Sequence, residues 1–149
     1  MNSVYKRVKE FKTKYPTTVA WRLKLNSEVV EKHINPDEKV LYAFAAQKSH
    51  NTLDIFSTAV VVLTDKRILI GRKRLLFGYF LDSVTPAMFN DLKIKASLFW
   101  GKIFIDTAKE LITLSNIDKN ALDEIETSIS SYMLERKKLY IEKKDNNKS

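Results

Sequence analysis

Apolar positions change their spacing twice along this chain. Between residues 2 and 15 the spacing is helical: Val4, Val8 and Phe11 fall at i, i+4 and i+7, and Lys6, Arg7, Lys9, Lys12 and Lys14 occupy other positions. From about residue 39 to residue 115 the apolar residues come in short runs, many of them β-branched, separated by polar turns. The clearest is Val60-Val61-Val62-Leu63, then Thr64-Asp65-Lys66-Arg67, then Ile68-Leu69-Ile70, which predicts a buried β-hairpin. From Asp118 to Tyr140 the helical spacing returns, with Leu122, Ile125, Ile129, Tyr132 and Met133 on one face.

Turn residues divide the middle region into seven predicted strands, at about 39–46, 57–64, 67–72, 76–83, 91–98, 102–107 and 110–115. Short strands at this spacing point to an antiparallel sandwich or barrel. Arg72-Lys73-Arg74 reads as the third turn of the set. Asp118 is the expected N-cap of the last helix, and Lys143 to Ser149 are expected to fray. Residues 17–34 are mixed. Val19, Trp21, Leu23 and Leu25 alternate as in a strand, while Val19, Leu23 and Val30 share a helical face. A helix over 27–34, capped by Asn26-Ser27, is favoured; 18–25 stays open, leaning to helix. Asn35-Pro36-Asp37 marks a boundary, so the chain divides into a helical extension (1–34), a β domain with its helix (35–134) and a charged extension with its tail (135–149).

Composition narrows the chemistry. The 149 residues include no cysteine, which excludes a disulfide scaffold, thiol catalysis and cysteine-ligated zinc, and suits a reducing cytoplasm. No apolar run approaches the roughly 20 residues of a membrane span. The N-terminus has no unbroken apolar segment of the secretory kind. The net charge is +8, concentrated at the N-terminus, where residues 1–34 carry 8 basic and 3 acidic side chains. Such an extension can meet membrane phosphates, nucleic acid or an acidic protein, or simply aid solubility.

The hairpin Leu63-Thr64-Asp65-Lys66-Arg67-Ile68-Leu69-Ile70 resembles the "LTDKRLL" hairpin of bacterial pleckstrin-homology (PH)-like domains, in particular the YokE-like group. Asn35-Pro36-Asp37-Glu38-Lys39-Val40-Leu41 resembles the opening strand of that family. Ile103-Phe104-Ile105 with Leu111 to Ile117 resembles its last hairpin. The resemblance covers about residues 28–134. It implies a seven-stranded antiparallel barrel capped by a C-terminal helix, here preceded by one or two N-terminal helices. It also implies a non-enzymatic module that contacts proteins and tends to form homo-oligomers.

No catalytic constellation stands out. His33 and His50 have no neighbours at metal-ligand spacing, and no glycine lies in a phosphate-cradling pattern. Ser49, His50 and Asp54 have the residue types of a triad but share one loop, whereas a triad needs separate rigid supports. No cofactor is implied. The loop between the first two strands offers only Lys48, so the basic signature of phosphoinositide-binding PH domains is missing. Two surfaces remain. Arg72, Lys73 and Arg74, followed by Leu75-Leu76-Phe77, together with Lys6 and Lys9 of the first helix, are candidate contacts to an anionic membrane. Phe99, Trp100, Leu134, Leu139 and Tyr140 are candidate interface residues for self-association, with core packing the alternative for Phe99 and Trp100. Basic residues without interleaved aromatics on one strand face disfavour nucleic acid.

Overall fold

The computed structural model describes residues 3–48 and 57–148. Two helices come first, α1 (Ser3–Lys14) and α2 (Leu23–His33). Seven strands follow: β1 (Val40–Gln47), β2 (Thr58–Thr64), β3 (Ile68–Lys73), β4 (Tyr79–Val84), β5 (Phe89–Ala96), β6 (Trp100–Thr107) and β7 (Leu111–Asp118). A short 3-10 turn, Lys119–Ala121, leads into α3 (Leu122–Asn146). The strands form one antiparallel sheet in the order β4-β3-β2-β1-β7-β6-β5, with β1 and β7 joined at Gln47 and Ser115. The sheet curls into a half-barrel with β4 and β5 as its edges. Helix α3 closes one mouth by inserting Ile125, Ile129 and Met133, all fully buried.

The continuous apolar run in β2 has a direct cause: the strand is covered on both faces. Val61 and Leu63 point inward, with Phe44, Ile70, Ile103 and Ile105. Val60 and Val62 point outward and pack with Ala43, Ala45 and Leu69 against Val4 and Val8 of α1 and Val30 of α2. A strand buried on both sides loses the polar half of its alternation. The outward positions of β1 in this layer are Ala43 and Ala45, small residues that let α1 approach the sheet closely. The stripe Val4, Val8 and Phe11 is therefore occupied within the chain; each is at most 5% exposed.

Residues 23–33 form the second helix, and the favoured capping pair lies inside it. Arg22 adopts a left-handed backbone (φ 55°) and turns the chain into α2, which begins at Leu23, ahead of the Asn26-Ser27 pair expected to cap it. Asn26 is buried instead, donating to Thr58 O (3.0 Å) and accepting from the Lys73 N–H (2.7 Å). At the other end, Asp118 does accept from the Asn120 N–H (3.0 Å), but the turn it caps is the 3-10 segment before α3. Helix α3 then runs to Asn146, further than the fraying expected from Lys143.

The hairpin motif is a structural knot. The buried Glu38 carboxylate accepts from the Thr64 hydroxyl (2.6 Å) and from Arg67 Nε (3.0 Å) and Nη2 (3.2 Å). Arg67 also donates to the His33 carbonyl (2.9 Å), tying the end of α2 to the hairpin. The Tyr132 hydroxyl donates to Asp65 O (2.8 Å), fixing α3 to the same turn. Burial alone would raise the Glu38 pKa; the hydrogen bonds from Arg67, Thr64 and the Asn35 N–H outweigh it and hold the carboxyl below its ordinary range.

Candidate functional site

Strands β3 and β4 form a two-stranded ribbon whose tip carries the densest exposed apolar group in the described chain. The pairing runs Gly71 with Leu81, Arg72 with Phe80, and Lys73 with Tyr79. The turn thus falls at 74–78, starting at the last residue of the basic triplet, while Arg72 and Lys73 stay in β3. The Arg74 N–H donates to Gly78 O (3.0 Å), and Gly78 closes the loop with φ +76°, a conformation that favours glycine. Leu75, Leu76 and Phe77 are therefore loop residues, 60%, 84% and 83% exposed, and do not begin a buried strand.

Cations are held beside these apolar side chains. The Arg72 guanidinium lies 4.4 Å from the centre of the Phe80 ring and that of Arg74 lies 5.2 Å from it. These are cation–π distances. The strand residues next to the turn are anchored to the start of α2. Arg22 donates to the carbonyls of Lys73 (3.3 Å) and Arg74 (3.4 Å), and Asn26 takes the Lys73 N–H. Gly71 lets the helix come this near, since a Cβ there would sit 2.7 Å from a methyl of Val30. Between residues 66 and 81 there is no carboxylate. The next one, Asp82, is paired with Lys48. Arg72, Arg74, Leu75, Leu76, Phe77 and Phe80 line an open groove at this tip.

The sequence-level candidates are not all brought together here. Lys6 and Lys9 are exposed, but they lie on the outer face of α1, which reaches Leu41 at the start of β1 through Arg7. The tip lies beside Thr58 and the end of β1. Phe99 and Trp100 occupy the β5–β6 tip with Leu98, and all three are substantially exposed, so the core alternative is set aside for both aromatics. The Trp100 indole N–H donates to Thr17 O (2.8 Å). Leu134, Leu139 and Tyr140 are exposed on the C-terminal half of α3. His33 bonds the Val29 carbonyl (2.6 Å) and the Tyr79 hydroxyl (3.0 Å), a packing role. Ser49, His50 and Asp54 lie outside the described residues. Among the described residues no three acidic or histidine side chains gather as a metal site, and no helix is long and apolar enough to cross a membrane.

Sequence reasoning missed Phe80, which read as an ordinary strand residue. The signal for Phe80 was its place opposite Arg72 once the turn is moved to 74–78.

A curled half-barrel of seven antiparallel strands with a C-terminal helix across its mouth is the PH-like fold. A family model described as bacterial PH domain matches residues 34–131, and the chain belongs to that family. Among solved structures, a pleckstrin homology domain from Shewanella amazonensis SB2B is similar at 14% identity and a TM-score of 0.48, covering 74% of this chain and 86% of that one. A DUF1696 family protein with a pleckstrin-homology domain from Shewanella loihica PV-4 is similar at 12% identity and a TM-score of 0.46, covering 85% of this chain and 97% of that one. No curated protein matches.

Proposed function

We propose that this chain is a non-catalytic, cytoplasmic binding module that docks on anionic membrane surfaces through the β3–β4 tip. One observation carries the reading: Leu75, Leu76 and Phe77 stand in solvent beside two guanidiniums stacked on Phe80, with no carboxylate between residues 66 and 81. An exposed apolar patch rimmed by charge marks an interaction site, and cations around an apolar tip match an acidic lipid surface. Each of the three apolar side chains contributes up to about 1.5–3 kcal/mol if fully buried, and each cation about 1 kcal/mol at such a surface. The basic N-terminal helix does not supply a second anchor of the interfacial type, because its apolar stripe is already packed on the sheet.

Co-sedimentation with vesicles containing phosphatidylserine tests this. Binding is expected at low salt, should fall as salt rises, and should be lost when Arg72, Lys73 and Arg74 become alanine. A protein that stays in the supernatant at low salt ends the reading.

A second reading, self-association, is favoured by a separate observation. Leu134 and Ile141 lie seven residues apart on one exposed face of α3, 44% and 47% exposed. Pairing of two such faces would cover them. Light scattering should then give a multimer that Leu134→Glu dissociates; a monomer at tens of micromolar contradicts it.

A further inference from the structure

A second groove lies at the other end of β3 from the tip. At about 3.3 Å per residue the strand separates the two by roughly 20 Å. One wall is α3 from Arg136 to Lys143; the other is Lys66 of the β2–β3 turn and residues 85–87. Leu139 and Tyr140, each 50% exposed, and Pro86 form its apolar surface. The walls are fixed. Tyr132 pins α3 to the β2–β3 turn, and Lys137 donates to the Phe89 carbonyl (2.7 Å) and to Asn90 Oδ1 (3.1 Å) on β5.

The lining contains three cations, Lys66, Arg136 and Lys143, and no carboxylate. Lys66 lies 3.4 Å from Asp37, an exposed pair that exchanges partners at little cost. Arg136 and Lys143 are two helical turns apart, about 10 Å along the axis. An extended peptide spans that distance in three to four residues. An inorganic anion would make no use of the apolar surface between the cations.

We propose that this groove binds an extended acidic peptide segment of a partner protein, its carboxylates on Arg136 and Lys143 and an apolar side chain between them on Leu139 and Tyr140. The groove is on the face of α3 opposite Leu134 and Ile141, and it is remote from the lipid-facing tip. The inference therefore goes beyond the membrane reading and can fail or stand without it. If both hold, the molecule has two poles: one for a membrane, one for an acidic segment of a partner.

The test is an amide NMR titration of the full chain with a six-residue peptide carrying two glutamates at each end and two leucines in the middle. Shifts are expected at Lys66, at residues 85–87 and along 136–143, and they should weaken with salt. Arg136→Glu with Lys143→Glu should lower the affinity at least tenfold. Both side chains are exposed, so the remaining spectrum should stay in place and report an intact fold. The proposal is overturned by an absence of shifts at millimolar peptide, by shifts at residues 72–80 instead, or by affinity unchanged in the double variant. Equal binding of an all-glutamate peptide or of inorganic phosphate also overturns it. So does concentration-dependent broadening of the groove residues without peptide, which would put a second copy there.

Discussion

Glu38 and Arg67 show how one buried contact joins three parts of the chain. The carboxylate is completely enclosed and Arg67 covers it while also holding the end of α2. Removing Arg67 takes away the counter-charge of a buried carboxylate and leaves it only the Thr64 hydroxyl and the Asn35 N–H, so Arg67→Ala is expected to cost up to about 3–5 kcal/mol in a denaturant melt. The pH dependence follows from the lowered Glu38 pKa. Its stabilising effect is complete above the ordinary carboxylate pKa of about 4.3 and is lost as pH falls through the lower folded-state value. Melting temperature should therefore drop with acidification below about pH 4, and Glu38→Gln should flatten part of that drop. A wild-type curve flat from pH 7 to pH 2 would contradict the assignment. The Thr64-Asp65-Lys66-Arg67 motif was legible in the sequence as a family mark. Its partner Glu38 was legible only as part of a lead-in strand, because nothing local links two residues 29 positions apart.

At the scale of elements, the strands were legible because their runs are short, β-branched and bounded by turn residues. The β3–β4 turn was misplaced because a basic triplet looks like a turn, whereas the decisive residue was Gly78, whose positive φ closes the loop four positions later. Strand β4 therefore begins at Tyr79, and the apolar triplet expected to enter a strand is left in solvent. The start of α2 was illegible for a similar reason: Arg22 takes a left-handed conformation for which its residue type gives no hint. Helix α3 was the most legible, since one apolar face and a charge gradient agree along its length. Its seat on the sheet is close. A Cβ on Gly101 would lie 2.3 Å from a methyl of Leu122. Gly101→Val is expected to destabilise by about 1–3 kcal/mol through overpacking, and a melt equal to wild type would refute the close approach. Ile125→Asp, at a fully buried position under the same helix, is expected to abolish cooperative unfolding.

At the scale of the whole molecule, the chain separates its stabilising and its exposed chemistry. The half-barrel interior and the outer layer under α1 and α2 absorb the apolar stripes that the sequence announced. Exposed apolar groups remain at the β3–β4 tip, at the β5–β6 tip and on the C-terminal half of α3. The basic character of residues 72–74 was visible from the start; that the three residues after them face water was not, because exposure depends on where the ribbon ends. The central claim is that this tip enters a lipid surface. The chain has no cysteine, so Leu76→Cys provides a single attachment point for an environment-sensitive fluorophore such as NBD. On phosphatidylserine-containing vesicles the label at position 76 should brighten and shift to the blue, while the same label at position 142 near the end of α3 should not. A label at 76 whose emission is unchanged by vesicles, or that responds no more than the one at 142, contradicts the claim.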